Sequence, residues 1–226
     1  MADNPVLVIF PHPDDEAFGV SGTILHHTRS GTPVTYICLT LGEMGRNMGR
    51  PVMCTRETLP EIRLQELEEA CRLLGIRDLR RFGMRDKTVE FADQEALTER
   101  VSDVINELAP AKIITFYPGY AVHPDHNATG EAVARAVARL PENNQPVIHA
   151  VAFSNDAYDA LGPPDVNIDV ADLREDKLGV IEAHASQTAG LIEQVKQRQN
   201  SDFIEDMLHT ERFWTLDPAP YADSRS

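Results

Sequence analysis

Short apolar runs rich in β-branched residues alternate with longer segments of helical spacing along this chain, and this alternation limits the fold more than any other feature. The run Val6–Phe10 contains no polar residue, which predicts a strand buried on both faces. Similar runs predict further strands at 33–41, 79–82, 112–117 and 146–153. The other segments predict helices at 17–30, 59–74, 94–108, 128–140, 172–189 and 194–209.

Strands that alternate with helices in this way predict a Rossmann-like α/β fold, with a mostly parallel sheet and helices on both faces. The 226 residues fit one compact domain, and neither an internal repeat nor a linker divides them. We therefore expect a single domain over residues 1–216. The segment 217–226 has two prolines and several small polar residues, and we expect a mobile tail there.

The charge balance narrows the classes of partner. Asp and Glu number 36 against 21 Lys and Arg, a net charge of -15, which lacks the basic footprint of a nucleic-acid-binding protein. No apolar run approaches the roughly twenty residues that span a bilayer. No basic segment precedes the first apolar run, as it would in a secretory signal. We expect a cytoplasmic protein without nucleic-acid or membrane partners. The three cysteines contain no CxxC pair, which supports neither a cysteine zinc site nor a disulfide framework.

Two polar motifs follow predicted strands. Residues 11–16 read Pro-His-Pro-Asp-Asp-Glu after the first strand, and residues 123–126 read His-Pro-Asp-His after the strand at 112–117. Because the carboxyl ends of parallel strands meet at one edge of the sheet, we expect the two motifs to lie together. A hydrolytic metal site needs a few protein ligands, an open position for water and a spare carboxylate. The motifs supply the ligands and the spare carboxylate.

In the first motif, a turn after the strand directs His12 and Asp15 toward a common centre, while Asp14 projects to one side. His12 and Asp15 are then candidate metal ligands, and Asp14 is free to act on a water molecule. The alternative is that Asp14 or Asp15 only caps the following helix and Glu16 complements its dipole. In the second motif, one imidazole completes a His-Asp-His ligand set and the other faces the substrate. The alternative there is a pair of exposed loop histidines.

Together with further elements, the two motifs resemble the LmbE/PIG-L family of zinc-dependent N-deacetylases. The further elements are Gly19 and Gly22, Arg63-x-x-Glu66 in the helix that ends at Leu74-Gly75, and His184-Ala-Ser-Gln187. The resemblance runs from about residue 5 to 190. Residues 117–130 are most similar to the Bacillus-type members, which include the N-acetylglucosaminyl-malate deacetylase of bacillithiol biosynthesis.

The resemblance implies a role for each residue of the motifs. The zinc ligands would be His12, Asp15 and His126. Asp14 would be the general base that takes a proton from water and later helps to protonate the leaving amine. His123 would stabilise the oxyanion or serve as general acid, with Asp125 orienting its imidazole. Fe²⁺ or Co²⁺ would also suit this ligand set.

Some family members have a tyrosine two residues before the first histidine of the second motif, where it helps to hold the oxyanion. Ala121 stands at that position in this chain, with Tyr120 beside it. We therefore expect His123 to provide more of the oxyanion stabilisation. Tyr120 is retained as a candidate for contact with the substrate.

The resemblance implies hydrolysis of the acetamide of an N-acetylglucosamine conjugate, which releases acetate and a free amine. An anionic conjugate needs cations near the metal, and the loop at 42–58 offers several. We expect Arg56 to be the main carboxylate partner and Arg46 a second one, with a structural ion pair as the alternative for Arg56. Glu43 and Asn47 are candidate partners of sugar hydroxyls.

Three alternatives stay open. Within the family, the substrate is another N-acetylated sugar, such as a chitooligosaccharide. Outside it, a non-haem iron oxygenase also uses two histidines and a carboxylate. An α/β small-molecule binding protein with a non-catalytic metal is the third, although a structural site has no need of the extra carboxylate of Asp14. Because relatives often form hexamers, we expect a homo-oligomer.

Overall fold

The computed structural model describes residues 5–197 and 202–222 of the chain. Within these ranges the strands are β1 Val6–Phe10, β2 Val34–Cys38, β3 Asp78–Arg81, β4 Lys112–Phe116, β5 Val147–Val151, β6 Val166–Asp169 and β7 Thr210–Thr215. The α-helices are α1 Asp15–Gly19, α2 Ser21–Arg29, α3 Leu59–Leu74, α4 Gln94–Leu108, α5 Pro124–Ala138, α6 Ala157–Leu161, α7 Arg174–Ala183, α8 Ala185–Lys196 and α9 Asp202–His209. Among these described helices, none is long and apolar enough to cross a bilayer.

The strands form one sheet in the order β3-β2-β1-β4-β5-β7-β6. The first five strands of that order pair in parallel, and β7 runs antiparallel to both β5 and β6. The mostly parallel α/β sheet predicted from the alternation of strands and helices is therefore confirmed. The switch point of the strand order lies between β1 and β4, where ligands bind in folds of this class.

Two apolar cores cover the two faces of the sheet, with helices on each. Along β1, Val6, Val8 and Phe10 face the core beneath α2, α3 and α7, whereas Leu7 and Ile9 face the core beneath α4 and α5. Since both sets of side chains are buried, this strand has no position that tolerates a polar residue. Burial on both faces is the physical reason for the continuous apolar run in the sequence.

The helices α3 and α4 begin and end where the sequence predicts. The predicted helix at 17–30 is instead two helices, α1 and α2, because the carboxylate of Glu211 accepts hydrogen bonds from Gly22 N and Thr23 N and starts a new helix there. The predicted helix at 172–189 also divides. The carboxylate of Glu66 accepts hydrogen bonds from the backbone and hydroxyl of Ser186 and starts α8.

The boundary of α5 differs from the prediction in a way that concerns the second motif. The sequence predicts a loop through residue 126 and a helix from 128, but the helix begins at Pro124. Proline suits the first helical position because its missing N–H is not needed there. The imidazole of His123 accepts a hydrogen bond from Asp125 N and caps the helix. The motif is therefore the first turn of a helix.

Three short elements escaped the sequence analysis, namely α6, β6 and β7. The strand β7 reads Thr-Glu-Arg-Phe-Trp-Thr, which shows neither a continuous apolar run nor a polar-apolar alternation, and it begins directly after α9. Residues 198–201 of that predicted helix lie outside the described residues. Of the segment 217–226, residues 219–221 form a short 3-10 helix, and 223–226 lie outside the described residues.

Candidate metal centre and active site

The first motif forms a tight turn at the carboxyl end of β1. Its Asp14 has a φ of 107°, a left-handed conformation that non-glycine residues rarely adopt. Hydrogen bonds hold this turn in place: Asp14 N donates to Glu16 Oε2 (3.2 Å), and the Tyr36 hydroxyl donates to the same oxygen (2.9 Å). The Glu16 carboxylate is fully buried and also contacts the imidazole of His184. Backbone strain stored in this way is common at catalytic sites.

Three side chains from the two motifs direct acceptor atoms toward one point beyond this turn. His12 Nδ1 lies 3.1 Å from His126 Nε2, which in turn lies 3.2 Å from Asp15 Oδ1. The second carboxylate oxygen, Asp15 Oδ2, lies 3.5 Å from His12 Nδ1. Nitrogen ligands about 2.1 Å from a tetrahedral zinc ion are about 3.4 Å apart. The observed separations therefore match the edges of a metal coordination polyhedron.

The outer contacts of the two imidazoles fix which nitrogen faces the centre. His126 Nδ1 lies 3.0 Å from Ala121 O, and His12 Nε2 lies 3.3 Å from Asp125 Oδ2 and 3.2 Å from Asp86 Oδ1. In neutral imidazoles these outer nitrogens carry the protons, so the inner nitrogens point lone pairs at each other and at a carboxylate. Such a set of acceptors is favourable around a cation, and a divalent metal ion fits it.

The carboxylates that surround His12 favour a positive charge at this position, as a cation site requires. Burial acts to lower the pKa of His12, but the carboxylates of Asp125, Asp15 and Asp86 raise it well above its ordinary value. The structure thus surrounds one imidazole with three carboxylates and favours positive charge at this point. Two of the carboxylates, Asp86 and Asp125, face the outer nitrogen and serve to orient the ring.

Among the described residues, nitrogens of His12, His123 and His126 also lie within 4.8 Å of one another. The ring of His123 is nevertheless farther away, with its centroid 4.9 Å from that of His12 and 5.2 Å from that of His126. Its Nδ1 accepts from Asp125 N, so the neutral ring carries its proton on Nε2. Asp15 is therefore the better candidate for the third ligand, and His123, which lines the cavity, has its Nε2 proton available for a hydrogen bond to a bound molecule.

The role expected of Asp125 needs a correction. Its carboxylate was expected to orient the imidazole of His123, but it lies against Nε2 of His12. The same carboxylate accepts hydrogen bonds from Lys87 N (2.7 Å) and Val89 N (3.1 Å), and it is fully buried. Asp125 therefore links His12, a candidate metal ligand, to the loop after β3.

Asp14, the candidate general base, lines the same cavity as the three candidate ligands. Its Oδ2 accepts a hydrogen bond of 3.0 Å from Arg63, which also donates to the carbonyl oxygens of Pro13 and Gly42. Burial raises the pKa of Asp14 to about 6, against the opposing effect of the Arg63 guanidinium. A pKa near neutrality suits a group that must both accept and return a proton.

Two glycines permit the close approach of the elements around the site. A Cβ on Gly42, whose φ is +59°, would lie 1.7 Å from the Arg63 guanidinium. A Cβ on Gly130 would lie 2.2 Å from Phe116 O, so glycine lets α5 pack against the end of β4. The ring of His126 then stacks on that of Phe116, with centroids 4.0 Å apart.

The cavity over the site contains one of the five residues predicted to bind substrate. Its lining consists of His12, Asp14, Asp15, Met44, Gly45, Arg46, Arg63, Asp86, Lys87, His123 and His126. Arg46 is the one predicted substrate-binding residue in this set. The sequence analysis did not assign Asp86 or Lys87 to the site. Their position on the loop after β3, at the same edge of the sheet as the two motifs, is the signal that would have found them.

The other four predicted substrate-binding residues make internal contacts. Arg56 donates to the carbonyl oxygens of Glu43 (3.2 Å) and Gly45 (2.9 Å), so its guanidinium shapes the loop. Glu43 accepts a hydrogen bond from Asp86 N, and Asn47 donates to Gln187 O. The ring of Tyr120 packs edge-on against that of Tyr117. Their predicted contact with substrate stays a prediction.

Comparison with known proteins agrees with this geometry. Residues 7–137 match the PIG-L family model, described as GlcNAc-PI de-N-acetylase. The chain belongs to the PIG-L family. It is accordingly an N-deacetylase, and the family that the two motifs indicated is confirmed.

Two Bacillus relatives match this PIG-L chain over nearly its whole length. The relative from Bacillus cereus is 49% identical over 212 residues, covering 93% of this chain and 96% of the relative. The relative from Bacillus subtilis is 44% identical over 212 residues, which again cover 93% of this chain and 96% of the relative. Each is named probable N-acetyl-alpha-D-glucosaminyl L-malate deacetylase 2. A solved structure, N,N'-diacetylchitobiose deacetylase from Pyrococcus horikoshii, has a TM-score of 0.74 and 26% identity, covering 98% of this chain and 87% of that one.

Proposed function

We propose that this protein hydrolyses the acetamide of N-acetyl-α-D-glucosaminyl L-malate, releasing acetate and the free amine. The observation that supports this substrate most is the 44% and 49% identity, over more than nine tenths of the chain, to the two Bacillus relatives of that name. The convergence of His12, Asp15 and His126 beside Asp14 supports the hydrolytic chemistry. The reaction is the deacetylation step expected in bacillithiol biosynthesis.

The residues of the site have distinct parts in this reaction. A divalent cation held by His12, Asp15 and His126 would lower the pKa of water and polarise the acetamide carbonyl. Asp14 accepts the proton of the attacking water and returns it to the departing nitrogen. His123 donates its Nε2 proton in a hydrogen bond to the oxygen on which negative charge develops. Arg63 holds the Asp14 carboxylate in place for both transfers.

Zinc is the proposed metal, with Fe²⁺ and Co²⁺ as alternatives that the two-histidine, one-carboxylate set also suits. Metal analysis of protein purified without added metal identifies the native ion. We also propose a homo-oligomer, with a hexamer as the first expectation, and a cytoplasmic location. Light scattering on purified protein tests the oligomer. Membership of the PIG-L family favours a deacetylase over an oxygenase or a non-catalytic binding protein.

The test compares free-amine release from three substrates: N-acetylglucosaminyl-malate, N,N'-diacetylchitobiose and N-acetylglucosamine. Each is incubated with chelated protein and with protein reloaded with zinc. We expect metal-dependent release with a strong preference for the malate conjugate. Equal rates on all three substrates would reject the malate assignment and keep the deacetylase chemistry. Preference for diacetylchitobiose would instead favour the second candidate substrate.

A further inference from the structure

The residues that line the cavity are arranged along the carboxyl edge of the sheet in a definite order. The metal-ligand motifs follow β1 and β4, whereas two cations of its lining, Arg46 and Lys87, follow β2 and β3. Because the strand order is β3-β2-β1-β4, these cations lie to one side of the metal centre. A substrate that places its acetamide at the metal therefore extends its remaining part either toward the cations or away from them.

The ammonium group of Lys87 is available to a ligand. Its side chain is exposed at the cavity, and no carboxylate of the described residues lies within 4.0 Å of the ammonium nitrogen. By contrast, Arg63 donates to Asp14 and to two carbonyl oxygens, and Arg56 donates to two more. The chain has a net charge of -15, so most of its surface repels anions. Unpaired cations in this cavity create a locally positive region that attracts an anionic substrate.

The backbone of Lys87 is fixed against the metal centre. Its φ of 61° is left-handed, a conformation that non-glycine residues rarely adopt. The bond from Lys87 N to Asp125 Oδ2 (2.7 Å) holds it there, together with the bond from Asp86 N to Glu43 Oε1 (3.0 Å). Since Asp125 also contacts His12, the backbone from which the Lys87 side chain extends is fixed relative to a candidate metal ligand.

We infer that Lys87 binds the carboxylate of the substrate's acidic group and so determines the preference for an anionic conjugate, with Arg46 as the neighbouring cation. The substrate then lies with its acetamide over β1 and β4 and its carboxylates over the loops after β2 and β3. This inference rests on the proposed function for the identity of the acid, L-malate. The anion site itself is independent of which sugar conjugate is hydrolysed.

The first experiment measures selectivity as a ratio. We compare kcat/KM for N-acetylglucosaminyl-malate with kcat/KM for the neutral methyl α-glycoside of N-acetylglucosamine. In Lys87→Gln we expect this ratio to fall about tenfold or more, mainly through a higher KM for the malate conjugate, because a charge-assisted hydrogen bond is lost. Lys87→Arg should retain most of the ratio. Arg85→Gln is the matched control, since Arg85 is exposed, carries the same charge and does not line the cavity.

An equal fall of both rates in Lys87→Gln, or the same fall of the ratio in Arg85→Gln, would overturn the inference.

A second experiment tests the anion site separately from the proposed function. L-malate is titrated onto the metal-loaded wild type and onto Lys87→Gln by calorimetry, which needs no turnover. A Kd raised about tenfold in the variant supports the anion site even when the malate conjugate is not hydrolysed. Equal affinities would overturn the site, whatever the substrate.

Discussion

At the residue scale, the structure separates the candidate metal ligands from the candidate general base. Asp14 and Asp15 are adjacent in sequence, yet only Asp15 points at the two inner imidazole nitrogens. The left-handed backbone of Asp14 turns its own carboxylate toward Arg63 instead. One strained residue thus gives two neighbouring carboxylates different chemistry.

This separation predicts different outcomes for two substitutions. Asp14→Asn removes the base and leaves the three ligands, so we expect kcat to fall by about a hundredfold to ten-thousandfold with metal content unchanged. His12→Ala removes a ligand, and both metal and activity should be lost. Metal analysis and amine release on the same samples measure both. Substantial turnover in Asp14→Asn with its metal bound would exclude Asp14 as the base.

A histidine outside the site predicts how stability depends on pH. His149 on β5 is 9% exposed, and burial, with the nearby Lys112 charge, lowers its pKa to about 4. Between the unfolded pKa of about 6.5 and about 4, the unfolded chain takes up a proton that the folded chain does not, so the free energy of unfolding should fall by about 3 kcal/mol as pH decreases across this range.

Denaturant unfolding from pH 7 to pH 4 measures this loss. We expect His149→Gln to show a smaller decrease than the wild type over the same pH range. The control is His209→Gln, because the side chain of His209 is 47% exposed. The same pH dependence in the His149 variant and the wild type would show that other groups cause the loss.

At the scale of single elements, carboxylates from distant parts of the chain determine where helices begin. Glu66 on α3 accepts hydrogen bonds from Ser186 N (2.6 Å) and Ser186 Oγ (2.7 Å) at the start of α8. Both partners are buried, so the first turn of α8 has its donors satisfied by a side chain 120 residues away in sequence.

We expect Glu66→Ala to destabilise the protein by about 1 to 3 kcal/mol, because it leaves a buried N–H and a buried hydroxyl without an acceptor. The matched control is Glu69→Ala on the same helix, where an exposed pair with Arg72 is removed and little change in the free energy of unfolding should follow. Thermal or urea unfolding measures both variants. Equal effects of the two substitutions would contradict the capping role of Glu66.

At the scale of the whole molecule, one buried ion pair and its hydrogen bonds connect α7 and β7 to the first two helices of the chain. Lys177 on α7 pairs with Glu211 on β7, and both side chains are almost fully buried. The Glu211 carboxylate also accepts bonds from Gly22 N and Thr23 N, and Lys177 donates to Phe18 O. The pair therefore fixes α1 and α2, the helices that follow the first metal-ligand motif.

Lys177→Met leaves the Glu211 carboxylate buried without a counter-ion, and we expect a loss of about 3 to 5 kcal/mol of stability. The double variant Lys177→Met/Glu211→Gln should be more stable than the single one, because the unpaired charge is gone. Lys196→Met, which removes an exposed lysine, is the control. A double variant no more stable than Lys177→Met would indicate that the charge itself is not the cause.

Much of this protein follows from local patterns of the sequence. Continuous apolar runs predict the buried parallel strands, because both faces of such strands contact a core, and the periodicity predicts α3 and α4 with correct boundaries. The two motifs at strand ends predict the metal centre and the position of Asp14 beside it. The role of Asp14 as base is still a prediction, and the experiments above test it.

The tertiary structure decided the features that depend on partners far away in the chain. The division of helices at Val20 and His184 depends on Glu211 and Glu66, which local spacing does not reveal. The antiparallel strands β6 and β7 exist because they pair with each other and with β5. Likewise, whether a cation is free or bound to the backbone depends on its neighbours in space. For that reason the sequence favoured Arg56, and the structure places Lys87 in the cavity.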